Sequence, residues 1–413
     1  MKVLLVSSKY QPEYSGSGLR AHRTYLRLKN KFKIEFDVIC SSTAMAESEL
    51  YELDGISVDR IISKRFRSIN RFFSKTPLRR LSNALLAHLE ARTVTRAIKG
   101  RSFDVIHTFG YSPATMAAIK WSRQHDIPLI LELVNPMQTP YQYLPGMRKL
   151  SQYDLSKQSI IVAISKSLGE MCKKHDLIDN VWVRPNPVNT SQFSLVPQSI
   201  RSAARRTVSS AKESDVLLVY VAKYITRKNH TFLLDVLAKL PDNVKLVLAG
   251  PALGDRDLVP GLRADQIPLL KQRANDLGIG QRVDITYGYV DMHEYLSAAD
   301  VFCFPAEGEA MGTPVLESIS AGVPVVANAD ESTFQEWVVE GKNGYLRPLD
   351  AEQWADAITK ATKFSAEARA NMSDHIRETI STEVIDERYR KLLTAVSSAS
   401  VDEEINVNKV LSS

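Results

Sequence analysis

Three features are scarce or missing in this sequence, and each absence removes a class of protein. Only three cysteines occur, Cys40, Cys172 and Cys303, and their odd number and wide spacing argue against a disulfide scaffold or a cysteine metal site. Their apolar surroundings predict buried free thiols. No apolar run approaches the roughly 20 residues of a membrane-spanning helix. Residues 1–8 are expected to form a buried strand rather than a signal peptide, so we expect a globular protein of the reducing cytoplasm.

The positive charge of the chain is unevenly distributed. The net charge is only +6, but residues 60–101 contain twelve lysines and arginines and a single acidic residue, Glu90. Phe66, Phe72 and Phe73 are interleaved with these cations, a composition that suits an anionic membrane surface. The alternative is a solvated basic helix pair, so peripheral contact with the inner face of the membrane is left open. No nucleic-acid-binding module is visible, and nucleic acid is not an expected partner.

The length and the periodicity together indicate two α/β domains. A chain of 413 residues is too long for one ordinary core. Short apolar runs alternate with helical periodicity, and this alternation restarts at residue 216 after a Ser- and Arg-rich stretch. The predicted fold class is α/β, with two doubly wound, Rossmann-like domains whose strand ends face each other across a cleft. The predicted segments are an N-terminal domain (1–193), a linker (194–214), a C-terminal domain (215–364), helices that pack back on the N-terminal domain (365–398) and a loose tail (399–413).

The segment over residues 304–327 places two glutamates around the start of a short helix. Thr313 is a suitable N-cap, Pro314 is a suitable first helical residue, and a later Gly-x-Pro predicts the end of the helix near residue 321. A helix start with unpaired N–H groups is a ready anion site. Glu309 precedes this helix, and Glu317 lies one place beyond the position of a capping-box glutamate. We therefore favour a functional role for each glutamate. The alternatives are that Glu317 is an exposed helix residue and that Glu309 complements the helix dipole.

Other polar residues follow predicted strand ends. Lys223 and Lys228 come directly after an apolar run, where a diphosphate would need cationic partners. His107 ends another run, although a lone histidine at such a position is more often structural. Gly16 and Gly18 precede a predicted helix and let backbone N–H groups approach an anion. These glycines also fit the dinucleotide-binding fingerprint, but a loop of about eight residues separates them from the strand, so that match is weak.

The segment E-G-E-A-M-G-T-P-V-L-E-S-I-S-A-G-V-P-V-V-A closely resembles the signature of retaining glycosyltransferases of family 4, which have the GT-B fold. The elements of that signature stand here at matching spacing. They are two glutamates with seven residues between them, the Gly-x-Pro that separates them, and the later Gly-x-Pro-Val-Val. The resemblance covers nearly the whole chain, strongly over about 216–345 and more weakly before residue 190. It implies transfer of a sugar from a nucleoside diphosphate donor to a hydroxyl acceptor with retention of anomeric configuration. The C-terminal domain would hold the donor.

The same resemblance implies roles for individual residues. Glu317 would accept hydrogen bonds from ribose hydroxyls, and Glu309 would bond sugar hydroxyls near the reacting carbon. Lys223, Lys228 and the backbone N–H groups of residues 311–313 would stabilise the leaving diphosphate. The implied donor-binding set is Gly16, Gly18, Lys223, Lys228, Gly250, Tyr289, Val290, Glu309, Met311, Gly312, Thr313 and Glu317, and the implied catalytic set is Glu309, His107 and Lys228.

The chain departs from the family pattern at three of the quoted positions. Lys223 stands where the family usually has arginine, so the cation loses its bidentate reach to phosphate. Asn229 replaces a glycine. Phe109 replaces the second histidine of an H-x-H pair, so His107 lacks the partner that the family commonly has, and the acceptor side stays open.

The most specific prediction is therefore a glycosyltransferase that uses a UDP- or GDP-sugar. No cofactor and no metal ion are expected. The basic segment favours a lipid-linked or cell-envelope glycan as the acceptor. Two alternatives of other classes are kept, a non-catalytic glycan-binding protein with the same fold and an NAD-dependent oxidoreductase. A sugar-nucleotide epimerase is a further enzyme alternative.

Overall fold

The computed structural model describes residues 1–13, 16–42, 48–61, 77–110, 112–134, 153–174, 179–251, 266–288, 290–309 and 311–413. These residues form two compact units. Unit 1 comprises Met1–Pro185 with Ile385–Ser413, and unit 2 comprises Asn186–Val384.

Strands and helices alternate along both units, as the periodicity predicted. The strands are β1 (Lys2–Ser7), β2 (Glu35–Ser41), β3 (Glu49–Leu53), β4 (Ile56–Ile61), β5 (Val105–Phe109), β6 (Leu129–Leu133), β7 (Ser159–Ala163), β8 (Val181–Val183), β9 (Val216–Val221), β10 (Val244–Gly250), β11 (Val283–Tyr287), β12 (Val301–Phe304), β13 (Val325–Asn328) and β14 (Gly344–Arg347). The helices are α1 (Gly16–Phe32), α2 (Arg79–Ile98), α3 (Pro113–Gln124), α4 (Lys166–Lys173), α5 (Gln198–Val208), α6 (His230–Leu237), α7 (Gln266–Asp276), α8 (Met292–Ala298), α9 (Thr313–Ser320), α10 (Ser332–Gln335), α11 (Ala351–Ala361), α12 (Ala366–Ile380), α13 (Thr382–Ser398) and α14 (Val407–Ser412).

Unit 1 is built on an eight-stranded sheet with the order β3-β4-β2-β1-β5-β6-β7-β8. Its neighbouring strands are parallel except for the antiparallel pair β3 and β4. The central strands are apolar on both faces, as in the adjacent residues Leu4 and Leu5 of β1, because helices cover both sides of such a sheet. Tyr389 and Leu392 of α13 pack into the same core, so the end of the chain completes unit 1.

Unit 2 is built on a six-stranded parallel sheet with the order β11-β10-β9-β12-β13-β14. Phe302 and Phe304 of β12 and Trp354 of α11 are fully buried in its core. The Trp354 indole donates a hydrogen bond of 2.9 Å to the Pro348 carbonyl, so its buried N–H is satisfied. The predicted fold class of two α/β units with parallel sheets is therefore confirmed.

The predicted linker is wrong in its local structure. Residues 198–208 form helix α5 within unit 2, and the boundary between the units falls after Pro185 rather than after residue 193. Arg205 of this helix donates to the Asp300 carboxylate at 2.9 Å, and the Arg201 guanidinium contacts the same group. Val208 is also buried. Helix α5, which looks polar in sequence, is therefore held in unit 2 by ion pairs to Asp300 and by the burial of Val208.

The C-terminal predictions need a similar correction. Helix α12 belongs to unit 2, whereas α13 from Ile385 onward belongs to unit 1, so only part of the predicted 365–398 segment returns to the N-terminal unit. The predicted loose tail contains helix α14. Ile405 and Val407 are buried there, and the Val407 N–H donates to the Asp179 carbonyl at 2.8 Å. These contacts order the tail.

The sequence also led to expectations about the cysteines and about membrane-spanning helices. The three cysteines are free and buried, as expected. Across the part of the chain that the structure describes, no helix is both long enough and apolar enough to cross a membrane.

Candidate active site

The candidate site lies where two neighbouring strands of unit 2 end. Strands β9 and β12 are paired in parallel, with Val219 opposite Phe302, so their carboxyl ends lie at the same edge of the sheet. A 3₁₀ turn, Thr226–Lys228, follows β9, and the signature segment follows β12. This is the edge at which sheets of this kind bind ligands.

The structure brings together Lys228 and Glu309, two of the predicted site residues. The Lys228 ammonium donates to Glu309 Oε1, and both side chains are largely buried, with exposed fractions of 11% and 13%. The Arg227 guanidinium donates to the same oxygen at 2.7 Å and is half exposed. One carboxylate is therefore shared by two cations.

Burial determines the electrostatics of Lys228. Loss of water lowers the pKa of the Lys228 ammonium below its ordinary value, the Glu309 carboxylate opposes this change, and the nearby Arg227 charge adds to it. The ammonium also lies 5.0 Å from the centre of the Phe304 ring, within the range of a cation–π contact. Lys228 is thus a partly desolvated cation that depends on a nearby anion.

The signature helix is α9, and its start differs slightly from the prediction. Gly312 rather than Thr313 is the N-cap, with a left-handed φ of 62°, and Thr313 is the first helical residue. A Cβ on residue 312 would lie 2.5 Å from the Phe334 ring, so both the backbone conformation and the packing require glycine. The Thr313 hydroxyl instead accepts a hydrogen bond of 2.8 Å from the Asn186 amide. Met311 is buried beside this turn.

Glu317 lies on the first turn and a half of α9 as predicted. It is only half-buried, whereas Leu316 and Ser318 on either side of it are buried. Glu317 is therefore on the less covered face of the helix. Its contact with a ribose stays a prediction.

Three further predicted donor residues lie at strand ends of the same sheet. Gly250 ends β10, and a Cβ there would lie 2.2 Å from the Ala222 carbonyl oxygen, so glycine permits the close approach of the segment after β9. Lys223 and Val290 are half-buried on the segments that follow β9 and β11. Tyr289 lies outside the described residues.

The predicted glycine loop lies in unit 1 and is largely helical. The prediction that Gly16 and Gly18 precede the helix is wrong, because α1 already begins at Gly16 and includes both glycines in its first turn. A Cβ on Gly18 would lie 2.4 Å from the Lys9 carbonyl oxygen, so this glycine lets α1 pack against the end of the β1 loop. That packing explains why residue 18 is a glycine, and the explanation does not involve a ligand.

His107 is part of a buried polar network in unit 1. Its side chain is fully buried, its Nδ1 is 2.6 Å from the Tyr25 hydroxyl, and its Nε2 is 3.5 Å from Glu132 Oε2. Burial lowers the pKa of His107 below its ordinary value, although the Glu132 carboxylate opposes this change. His107 is therefore enclosed in a buried polar network, and its predicted catalytic role stays a prediction.

Glu132 is the centre of this network. Its carboxylate accepts hydrogen bonds from Arg184 and, at 2.7 Å, from the Tyr389 hydroxyl. Burial alone would raise the pKa of Glu132, but the Arg184 and Arg20 charges and the hydrogen bond from His107 outweigh it and lower the pKa to about 2. The network joins β6, the residue that follows β8, and α13, which are far apart in sequence.

Two residues near Glu309 were not among the predicted site residues. Arg227 stands one place before Lys228, and its charge in a segment after a strand was a signal that could have been used. Glu331 lies just before α10, and its carboxylate accepts the backbone N–H groups of Gly308 at 2.6 Å and of Glu309 at 3.1 Å. No sequence motif marks Glu331, because its contact depends on how the loops after β12 and β13 meet.

A metal site is not visible in the part of the chain that the structure covers. Among the described residues, no group of three or more His, Cys, Asp or Glu side chains is arranged to hold an ion. The chain has an Asp-x-Asp pair, Asp255 and Asp257, outside the described residues. The expectation that no metal takes part therefore stays a prediction.

A cavity of about 1210 Å³ lies elsewhere, in unit 1. It is bordered by α2, α3 and the segment that leads into β7, including Arg92, Lys120 and Lys157. These residues are near the amino ends of β6 and β7, at the edge opposite to the carboxyl ends of the strands. The cavity is therefore separate from the candidate site.

Comparison with known proteins supports the family resemblance. The family model described as "Glycosyltransferase Family 4" matches residues 15–192, and that described as "Glycosyl transferases group 1" matches residues 202–379. The chain is 24% identical over 378 residues to the "Putative teichuronic acid biosynthesis glycosyltransferase TuaC" of Bacillus subtilis (strain 168), a match that covers 87% of this chain and 89% of that protein. It is 30% identical over 184 residues to the lipopolysaccharide core biosynthesis glycosyltransferase LpsE of Rhizobium meliloti (strain 1021), covering 43% of this chain and 50% of that protein.

The fold is similar to those of solved structures. The crystal structure of Anabaena Alr3699/HepE in complex with UDP and glucose superposes with a TM-score of 0.66 over 96% of this chain and all of that one, at 17% sequence identity. A glycosyltransferase from Rickettsia africae ESF-5 superposes with a TM-score of 0.70 over 97% of this chain and 99% of that one, also at 17% identity. At this identity the likeness concerns the fold.

Proposed function

We propose a donor and a stereochemical course for this protein, which belongs to the glycosyl transferases group 1 family and is a glycosyltransferase. The donor is a nucleoside diphosphate sugar. The sugar keeps its anomeric configuration on transfer to a hydroxyl acceptor. The bond between the anomeric carbon and the diphosphate oxygen breaks, and the acceptor oxygen forms the new glycosidic bond. The nucleoside diphosphate leaves with the electron pair, and the proton of the acceptor hydroxyl passes to a phosphate oxygen of the leaving group or to water.

The observation that carries this proposal is the cluster of Lys228, Arg227 and Glu309 at the ends of β9 and β12. Two cations meet there within one turn of chain, directly beside the loop that leads to the start of α9. A leaving diphosphate develops negative charge, and fixed cations and N–H groups in a partly desolvated site stabilise such charge strongly. Glu309 contacts both cations. A diphosphate would offer them new partners.

The remaining roles in this proposal are those that the family resemblance implies. Glu317, on the less covered face of α9, accepts hydrogen bonds from the ribose hydroxyls. Glu309, once released from one of its cations, bonds the donor sugar close to the reacting carbon. The backbone N–H groups of residues 311–313 and the side chains of Lys223 and Lys228 bind the diphosphate without a metal ion. Gly250 keeps the neighbouring strand ends close together.

The donor base is uracil or guanine in this proposal. A relative of the same fold was crystallised with UDP and glucose, which supports UDP. The relatives that act in teichuronic acid and lipopolysaccharide synthesis support an acceptor that is a cell-envelope or lipid-linked glycan.

A transfer assay tests this function. Purified protein is incubated with radiolabelled UDP-glucose, UDP-galactose, UDP-N-acetylglucosamine or GDP-mannose and with a lipid extract that contains glycan precursors. Proton NMR of the product then gives the configuration at the transferred anomeric carbon. Retention of the donor's α configuration supports the proposal, whereas a β product or an absence of transfer from every donor contradicts it.

Helix α2 supports contact with an anionic membrane surface. The exposed side chains Leu78, Leu81 and Leu85 recur at helical spacing, with exposed fractions of 51%, 69% and 49%. The same face continues with the exposed cations Arg92 and Arg96. A face that is apolar at one end and basic at the other suits insertion among anionic lipids. Residues 62–76 of the predicted basic segment lie outside the described residues.

Liposome co-sedimentation tests this contact. We expect more binding to vesicles of phosphatidylglycerol and phosphatidylcholine than to vesicles of phosphatidylcholine alone, and less binding after Leu81→Glu. A control substitution at the exposed Leu269 of α7 in unit 2 should not alter binding. Equal binding to both vesicles would contradict membrane contact.

The competing functions are disfavoured by particular observations. An NAD site would need Gly16 and Gly18 to face a dinucleotide, whereas Gly18 packs against the Lys9 carbonyl. A non-catalytic glycan-binding protein would have no need of the buried pair Lys228 and Glu309. Both alternatives remain outcomes of the ligand tests.

A further inference from the structure

Glu331 holds the loop that carries Glu309. The two oxygens of its carboxylate accept the N–H groups of consecutive residues, Gly308 at 2.6 Å and Glu309 at 3.1 Å. Hydrogen bonds from backbone N–H groups to an ionised carboxylate are stronger than those between neutral groups. The turn at Gly308 has a left-handed φ of 67°, so this part of the loop needs both a glycine and an anchor.

The same loop is held on its other side by the turn after β9. The Glu307 N–H donates to the Arg227 carbonyl at 2.9 Å, and the Arg227 guanidinium donates back to the Glu307 carbonyl at 3.1 Å. The side chain of Glu309 then reaches Arg227 and Lys228. Residues 307–309 are therefore fixed between a cationic segment and one carboxylate, and that carboxylate belongs to Glu331.

The contact is directional as well as close. Because a carboxylate accepts two adjacent N–H groups only from one side, Glu331 sets the orientation of the peptide that joins Gly308 to Glu309. The direction of the Glu309 side chain follows from that peptide. Small errors in the position of a group that contacts substrate reduce turnover strongly, because its contacts must be matched to the transition state.

We propose that Glu331 is a positioning residue for sugar transfer, which fixes Glu309 against the donor through the backbone of residues 308 and 309. This inference rests on the proposed function, in which Glu309 contacts the donor sugar. Glu331 itself touches neither the donor nor the acceptor in this account. Its substitution should therefore alter turnover more than it alters binding of a nucleoside diphosphate, which lacks the sugar.

The test combines single and double variants of the full chain. An amide offers one acceptor oxygen in place of two, so Glu331→Gln should lower kcat on the order of 10-fold, and Glu331→Ala should lower it on the order of 100-fold. The dissociation constant of UDP or GDP, whichever binds the wild type, should change less than about threefold. Glu352→Gln is the matched control, since Glu352 is an exposed glutamate on α11.

A double-variant cycle separates positioning from a general effect on stability. If Glu331 acts through Glu309, adding Glu331→Ala to Glu309→Gln should lower kcat by less than about threefold, because the group that Glu331 positions has already been removed. An additive loss would overturn the inference. So would an active Glu331→Ala protein with the wild-type kcat.

Failure of this inference can be distinguished from failure of the proposed function. A wild-type protein that transfers no sugar from any donor contradicts the proposed function. An active wild type with unaffected Glu331 variants contradicts only the positioning role. If Glu331→Ala does not fold, Glu331→Gln carries the same comparison, because it keeps the size of the side chain.

Discussion

Replacing Lys228 with alanine is expected to lower kcat on the order of 100-fold. In the proposed function, the Lys228 ammonium stabilises the leaving diphosphate. Removing a single donor of this kind from an active site typically costs about 2.7–4 kcal/mol of transition-state stabilisation. We expect the lower end of this range, because Arg227 remains next to Glu309 at 2.7 Å and supplies a second cation.

The effect on folding should be smaller than the effect on catalysis. Burial already lowers the pKa of Lys228, so part of the attraction to Glu309 only offsets the loss of water. Glu309 keeps one cationic partner after the substitution. We therefore expect unit 2 to lose about 1 kcal/mol, the usual cost of a single substitution.

The assay is the steady-state release of nucleoside diphosphate at saturating donor, followed together with the melting temperature. Lys360→Ala is the control, because Lys360 is a half-exposed lysine on α11 whose ammonium pairs with Asp356 at 2.6 Å. Lys228→Ala should fall about 100-fold below this control. A value within threefold of wild type would show that the diphosphate does not lie beside Lys228, and the assignment of the site would be refuted.

Two further predictions concern stability as a function of pH. Burial lowers the pKa of His230 to about 3. Between about pH 6.5 and 3, the unfolded chain therefore binds a proton at this residue that the folded chain does not bind. The stability of unit 2 should fall as the pH falls through this range. His230→Phe keeps the ring contact with Tyr224 and should flatten this dependence in urea unfolding, whereas His375→Phe on the exposed face of α12 should leave it unchanged. In unit 1, the lowered pKa of Glu132 contributes stability above its unfolded pKa of about 4.5, on the order of 3 kcal/mol, which should be lost between about pH 5 and 2. Glu132→Gln should destabilise unit 1 by about 3–5 kcal/mol at pH 7, because it leaves the Arg184 charge buried without its partner, and a loss below 1 kcal/mol would contradict that reasoning.

The signature helix could be predicted closely because its signals are local. Pro314 and the later Gly-x-Pro delimit it, and the predicted range of 314–321 differs by one residue from the observed α9. The N-cap was misassigned, since Thr313 is an ordinary cap in sequence while the left-handed Gly312 takes that position beside Phe334. Packing against a residue from another element decided between the two.

The contacts within the site could not be predicted in the same way. Lys228 and Glu309 meet because β9 and β12 are neighbours in the sheet, and strand order is a property of the whole unit. Glu331 reaches the same loop from the end of β13, without a motif to mark it. For the same reason, the network around Glu132 joins residues that sequence spacing cannot relate.

Segments of mixed composition gave the largest errors. Helix α5 was predicted as a linker because few of its residues are large and apolar. Its arginines are held by Asp300, and this ion pairing substitutes for an apolar face. The tail was predicted to be loose, yet two buried side chains, Ile405 and Val407, are sufficient to order it.

The most direct test of a nucleotide-sugar donor site in unit 2 is a thermal-shift panel with UDP, GDP, ADP, NAD and the sugar derivatives of the nucleotides, on wild type and Glu317→Ala. A ligand at roughly 100 times its dissociation constant adds about 2.7 kcal/mol to the stability of the protein that binds it. UDP or GDP and its sugar form should stabilise the wild type and fail to stabilise Glu317→Ala. Stabilisation by NAD alone, or equal stabilisation of both proteins by the same nucleotide, would contradict a donor site in unit 2.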